Sequence, residues 1–331
     1  MENLIFMNFN KNKVIQIKGD ASFRKFYRII LKKGSRIIVY SQKEKYKNLI
    51  AYSAVNKFLK KNKINSPKLF YYNLQNNMIV VEDFGDLTFN KILLKQKNKF
   101  STYKKLVDLL IKIQKIKPQK KIKNILKKNH VIKKYSARYL HKESDLFFKW
   151  YLPLFLEKKK ISGIKKKLRT ILSKLYKSLN LPNKYFVHRD FHAQNLMKVG
   201  KKIGVIDSQD ALIGNPAYDL VSLIDDVRIR TSKELKDKIY KYYVNKALKN
   251  YKANNQKFLN DFNILSVQRS LKIIGIFSRL YKRDQKSDYL KFIPYAWHLL
   301  EMRMNSVIFL KLRKILDSNI SKNVRKRIYY K

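Results

Sequence analysis

Asp190 and Asn195 stand five residues apart in the run VHRDFHAQNL, and Asp207 follows the apolar run GVI seventeen residues after Asp190. Transfer of a phosphoryl group to a hydroxyl needs a carboxylate that receives or orients the acceptor's proton, with oxygen ligands for Mg²⁺ close by. An Asp and an Asn at this spacing on one tight loop can fill the two roles, with the amide facing the metal. Asp207 then supplies a second metal-binding carboxylate. Mg²⁺ dehydrates reluctantly, so a few protein oxygens plus phosphates and water suit it better than a full protein cage. An isolated HRD tripeptide reads as a surface loop, and a lone Asp at a strand end as a cap. The two pieces in this order are specific to phosphoryl transfer.

The neighbouring polar residues carry less defined readings. His188 is expected to scaffold the loop by hydrogen bonding instead of acting as a base. His192 either packs the loop or touches the acceptor. Asp219, in GNPAYDL at a helix start, either caps that helix or fixes the catalytic loop through its backbone, and the second reading is favoured.

These side chains need elements to hold them. VIQI (14–17) and the alternating FRKFYRIIL (23–31) flank turn residues and predict a hairpin, and KKGS then turns the chain into a third strand, RIIVY. Glu44 to Leu59 carries apolar residues at helical spacing, and LFYY and MIVVE are two further strands around Asn76 and Asn77. Residues 1–88 therefore form a small antiparallel lobe with one helix, ending in a connector near 80–88. Residues 89–331 form a larger, mostly helical lobe that carries the catalytic loop 186–195 and the metal-binding segment 203–210. Within it, helices are expected at 101–116, 216–229, 233–249, 257–281 and 304–316, with a partly looped lysine-rich stretch from Pro118 to Lys134. The segment 186–207 breaks the helical pattern with a loop and two short strands turning at Gly200. The fold class is α+β.

The 331 residues include 76 Lys and Arg against 23 Asp and Glu, a formal charge of +53, and no Cys. A hydrophobic share of 45% excludes a disordered basic tail. The lack of Cys excludes a disulfide framework, thiolate zinc sites and a cysteine nucleophile. No apolar run approaches the length of a membrane span, and the N-terminal residues do not read as a signal peptide, so a cytoplasmic, soluble protein with no membrane partner is expected. The charge invites a nucleic-acid partner. Only 15 of the cations are Arg, however, and the 61 Lys are spread along the whole chain, which reads as a solvated surface. The acids are more informative. Six of the 23 lie between 190 and 226, and Glu82, Asp83 and Asp86 sit together.

VHRDFHAQNL followed by GVIDSQDALIGNPAYDLVSLIDD resembles the aminoglycoside phosphotransferase superfamily, which shares the bilobal protein-kinase-like fold. GDASFRKFYRI and VVEDFGD narrow the resemblance to the anomeric N-acetylmuramate/N-acetylglucosamine kinases of cell-wall recycling. The matching blocks span residues 19–226. The resemblance implies ATP as co-substrate and Mg²⁺ as cofactor, Asp190 as catalytic base, and Asn195 and Asp207 as metal ligands. It makes VVED, with Val81 and Glu82, the connector whose backbone holds adenine. Residues 19–24, with Ser22, Phe23 and Arg24, become the turn above the phosphates.

Two departures accompany it. There is no GxGxxG, so DASFR must cover the phosphates with backbone N–H groups and side chains. Tyr40 in RIIVY stands about where related kinases keep a phosphate-pairing lysine. Arg24 and Arg28 are the candidate replacement cations, against the reading that both are exposed strand residues. Gln209 and Asp210 either bind sugar hydroxyls of the acceptor or brace the segment after Asp207. Other acceptors of the superfamily, such as choline, an amino alcohol or an aminoglycoside, are the nearby alternatives, and a pseudokinase scaffold is the alternative from another class.

Overall fold

The computed structural model describes residues 13–17, 19, 23–41, 46–251 and 253–327. Ser22 and Glu44 lie outside the described residues. The chain divides into two compact units: Met1–Lys95 with Gln119–Ile132 and Ala193–Ala211, and Gln96–Pro118 with Lys133–His192 and Leu212–Lys331.

The first unit is built on five antiparallel strands, β1 (Val14–Ile17), β2 (Lys25–Ile30), β3 (Ser35–Tyr40), β4 (Leu69–Asn73) and β5 (Met78–Glu82), in the order β1-β2-β3-β5-β4. Strand alternation sends Tyr27, Ile29, Ile38, Met78 and Val80 into one apolar cluster. The intervening Val39, Ile79 and Val81 enter a second cluster, where the helix Lys47–Lys61 contributes Leu49 and Tyr52. A one-residue slip would exchange these faces, so burial fixes the register. The tight turns fall where expected, with Gly34 (φ +81°) between β2 and β3 and Asn77 (φ +52°) before β5. Both are residue types that tolerate left-handed backbone.

The same unit takes in two small hairpins. One, Lys121–Lys123 with Asn129–Val131, occupies the stretch expected to be partly loop. The other, Leu196–Val199 with Lys202–Val205, turns at Gly200 (φ +54°). Lys198 N–H donates to Leu87 O (2.8 Å) and Val205 N–H to Asn65 O (2.8 Å), which tethers this hairpin to the segments flanking the sheet. Gly204 lets Phe84 press against it, since a Cβ there would come within 2.5 Å of the Phe84 ring.

The second unit is mostly helical. Its longest element, Asn255–Asp284, is 30 residues and is packed against by the helices Ala137–Leu146, Ala217–Ile224 and Ile293–Arg303 and by the π-helical turn Phe147–Tyr151. Asn254 caps its start by accepting from Lys257 N–H (2.9 Å). Gly275 lies directly on the Leu146–Phe147 backbone, where a Cβ would approach Leu146 C to 2.3 Å. Trp150 is half-buried beneath Lys149, and Trp297 is core, donating from Nε1 to Tyr151 Oη (3.0 Å).

The α+β fold class expected from the sequence is observed, with differences of detail in the elements. The helix expected at 304–316 starts only at Leu310 and runs to Asn319, the helix Ile293–Arg303 was not expected, and the helix expected at 216–229 stops at Ile224. The following Asp225 turns into the core to meet Arg303 (2.9 Å), Lys236 (3.3 Å) and Ser266 Oγ (2.7 Å).

Candidate active site

In the first unit the short loop after Val205 gathers four of the expected residues. Asp207 adopts left-handed backbone (φ +64°) without being Gly, a conformation that costs about 1 kcal/mol or more and persists only where surroundings enforce it. The surroundings are visible. Ile206 N–H donates to Asn195 O (3.1 Å), which joins the backbone of one expected metal ligand to the residue preceding the other. Ser208 Oγ donates to Asn56 Oδ1 (2.7 Å) on the helix Lys47–Lys61. The Asp207 carboxylate, about one-third exposed, is paired with the Arg24 guanidinium. Arg24 also donates to Gln209 Oε1 (3.0 Å), and Gln209 Nε2 in turn donates to Asp207 Oδ1 and Asp210 Oδ2 (3.1 Å each).

Arg24 is 6% exposed, with Phe26 and Tyr52 flanking its guanidinium at 5.5 and 5.7 Å from the ring centroids. A buried cation stacked on aromatic faces and tied to a carboxylate is a positioned group, unlike the solvated lysines around it. Phe23 beside it is exposed.

Arg28 is placed differently. Its guanidinium spans Asp83 (Nε to Oδ2 2.5 Å) and Asp86 (Nη1 to Oδ2 2.8 Å, Nη2 to Oδ1 2.9 Å). Asp83 also accepts from Ser35 Oγ (2.7 Å) and Gly85 N–H (2.8 Å). Burial pushes Asp83 up, but Arg28 and Ser35 outweigh it and leave its pKa below the usual range. Two of the three acids clustered at 82–86 thus pin the connector to β2, and the phosphate role expected of Arg28 meets a guanidinium already bracketed by carboxylates. Glu82 accepts from Lys60 Nζ and Lys68 N–H (3.1 Å each), and Val81 lies within the ladder opposite Ile37 and Leu69.

In the second unit, strand Tyr185–Val187 delivers the HRD turn. His188 and Arg189 N–H donate to the two oxygens of Asp219 (2.7 and 2.9 Å), so one carboxylate at the start of the helix Ala217–Ile224 holds the loop by its backbone. Burial pushes Asp219 up to about 6 despite these donors. His188 is fully buried, its ring edge-on to Phe191 at 6.2 Å. Arg189 is left-handed (φ +74°), the second such strained residue in the motif. His192 is buried, and desolvation with Arg228 nearby lowers its pKa to about 4, so it is neutral at physiological pH.

Asp190 faces two cations from the long helix: Arg269 Nη1 at 3.5 Å and Lys272 Nζ at 3.9 Å, both toward Oδ1. Burial alone would raise its pKa, and Lys272 and Arg269 reverse that and hold it far below the usual carboxylate range. Arg269 further donates to Arg189 O (2.9 Å), and Lys272 pairs with Glu143 (3.3 Å). Glu143 is also bound by Arg189 and Tyr135 Oη and accepts from Gln268 Nε2 (3.0 Å). Against a burial penalty, Lys272 and Arg189 draw it down to about 2.

A profile of the phosphotransferase enzyme family matches residues 13–249. The chain belongs to this family. An N-acetylmuramate/N-acetylglucosamine kinase of Neisseria meningitidis serogroup B is 28% identical to the phosphotransferase over 83% of this chain and 81% of its own. A protein of the same name from Pseudomonas aeruginosa is 28% identical over 87% and 83%. Among solved structures, the choline kinase of Streptococcus pneumoniae superposes with a TM-score of 0.61 at 15% identity, covering 96% of this chain and 99% of that one, which shows a shared fold.

Sequence reasoning missed Glu143, Arg269 and Lys272 of this phosphotransferase. Glu143 carried a usable signal, as one of the scarce acids on an otherwise basic chain. Arg269 and Lys272 carried none beyond their i, i+3 spacing, because a cation among 76 looks like surface.

Proposed function

We propose that this phosphotransferase transfers the γ-phosphoryl group of ATP, with Mg²⁺, to the anomeric hydroxyl of N-acetylmuramate, N-acetylglucosamine or both, in cytoplasmic recycling of cell-wall sugars. The observation that carries the substrate is the name shared by four relatives, each matched over at least 80% of this chain. The observation that supports the reaction class is the Asp190, Asn195 and Asp207 set, in order and on strained, hydrogen-bonded turns.

In this reading residues 1–88 hold the nucleotide and 80–88 is the connector beside adenine. Asp190 orients the acceptor hydroxyl and receives its proton. Arg24 takes the place of the third-strand lysine. Gln209, Asp210 and His192 are the proposed acceptor contacts. Asn195 and Asp207 suit Mg²⁺, offering one amide and one carboxylate oxygen donor on backbones joined by a hydrogen bond, which leaves the remaining positions to phosphate and water. Mg²⁺ held by these two residues would supply charge neutralisation for the phosphate oxygens. Arg24, already beside Asp207, is the cation proposed to meet the same oxygens.

The test is ATP consumption and phosphosugar formation with a panel of N-acetylmuramate, N-acetylglucosamine, choline, ethanolamine and an aminoglycoside. Formation of an acid-labile sugar 1-phosphate is expected. Transfer to choline but to neither amino sugar overturns the substrate assignment. A chain that neither binds nor turns over Mg-ATP is a scaffold.

A further inference from the structure

We infer that Arg269 and Lys272, on a helix beyond the family-matched residues 13–249, are positioning residues that hold Asp190 for transfer to the acceptor hydroxyl. The inference rests on the proposed role of Asp190 but not on which acceptor is used.

The geometry is that of a clamp. Arg269 and Lys272 stand one turn apart on the helix Asn255–Asp284, and both approach Oδ1 of Asp190. The Arg269 guanidinium also binds the carbonyl of Arg189, so it grips the catalytic residue by its side chain and by the peptide before it. Lys272 is held in turn by Glu143, which also engages the Arg189 side chain. Tyr218 Oη lies 3.5 Å from Arg269 Nη1 and 3.3 Å from Lys272 Nζ. The side chains of Arg269, Lys272 and Glu143 are 5 to 7% exposed, whereas that of Asp190 is 32% exposed. Two desolvated cations thus converge on the one acid of this group that reaches the surface.

Burying cations is costly unless they are paired, and Glu143 is already shared between Arg189 and Lys272. Asp190 is the second carboxylate that the cluster needs. The consequence for chemistry concerns order of events. During transfer the acceptor oxygen bonds to the γ-phosphorus, the bond from that phosphorus to the ADP oxygen breaks with its electron pair going to ADP, and the acceptor proton passes to Asp190. With two cations beside it, Asp190 is a weak base that orients the hydroxyl throughout and takes the proton once the new O–P bond has acidified it. That order suits the loose transition state of phosphoryl transfer, which asks for positioning more than for deprotonation.

The experiment compares Arg269→Met, Arg269→Lys and the charge-balanced double variant Glu143→Gln/Lys272→Met with the wild type. It uses whichever panel acceptor the wild type phosphorylates fastest, so a wrong sugar assignment leaves it intact. Arg269→Met is expected to lower kcat about 10²-fold with KM for ATP and acceptor within about two-fold. Arg269→Lys, which keeps the charge, is expected to recover at least ten-fold of that loss. The double variant should fold, with cooperative melting, and lose kcat in the same way. Unchanged kcat in Arg269→Met overturns the inference. So does a rise in acceptor KM at constant kcat, which would make Arg269 an acceptor contact. Should Arg269→Met fail to fold, Arg269→Lys and the double variant carry the test, and wild-type kcat in both overturns it.

Discussion

Arg24 and Asp207, 183 residues apart in sequence, form a part-buried ion pair in which Gln209 bonds to both partners. The pair sets the cation proposed for phosphate against the carboxylate proposed for metal, so each neutralises the other here, and a nucleotide bound with its metal would have to divide them. Arg24→Met should raise KM for Mg-ATP by about 10- to 100-fold, the worth of one or two charge-assisted hydrogen bonds. Nucleotide titration and steady-state kinetics check this, and an unchanged KM would remove Arg24 from the phosphate site.

Asp207→Asn and Asp190→Asn should separate two roles. The first is expected to weaken Mg²⁺ dependence, shifting half-saturation to higher metal concentration, while the second should abolish turnover with Mg-ATP binding retained. Metal titrations and equilibrium nucleotide binding distinguish them. Loss of nucleotide binding in Asp190→Asn would contradict the assignment.

His192 and Asp219 give opposite pH dependences. His192 is depressed to about 4, below the ordinary value near 6.5, so its contribution to stability is complete above 6.5 and is lost as pH falls toward 4. Asp219 is raised to about 6, so its contribution is complete below its unfolded value near 3.8 and is lost as pH rises through 6. Between 4 and 6 the two largely offset. His192→Gln should therefore be relatively more stable than wild type at pH 5 than at pH 7.5, by about 2 kcal/mol. Urea unfolding at the two pH values reads this directly, and parallel changes in both proteins would refute it.

Gly275→Ala reverses the usual sign of a glycine replacement in a helix. Alanine ordinarily favours a helix interior by about 1 kcal/mol over glycine. At this position a Cβ would lie 2.3 to 2.6 Å from Leu146 and Phe147 backbone atoms, which cannot rotate away. A loss of about 2 kcal/mol or more is expected by thermal or urea melting. Gly163→Ala, on the helix Lys158–Lys177 with nothing within 4 Å of the added carbon, is the control and should be neutral or stabilising.

The five-stranded sheet was readable because Tyr27, Ile29, Ile38 and Val80 alternate cleanly and Gly34 and Asn77 mark the turns. The hairpin at 121–131 was not, since KIK and NHV bury little beyond Ile122. The helix Lys158–Lys177 does carry a stripe, Ile164, Leu168, Leu172 and Leu175, that its lysines obscure. The helix Ile293–Arg303 is buried on several faces and has no stripe to find. Asp190, Asn195 and Asp207, the proposed catalytic and metal-binding residues, were picked out by their spacing. Arg24 and Arg28 looked alike, and only tertiary partners separate a cation beside Asp207 from one clasped by Asp83 and Asp86. Lys236 and Lys272 are buried lysines that composition hid completely.

The reach of Arg269 to Asp190 across 79 residues of sequence also has a temporal side. On the ribosome the HRD turn emerges well before its two cations, with Asp219 close behind to secure its backbone. Glu143 likewise waits for Lys272. The turn can thus take its shape early, while the charge balance around Asp190 is completed only when the long helix has been made and docked. The nascent chain carries every residue of the recognisable motif for that interval without the cations that face Asp190 in the folded protein.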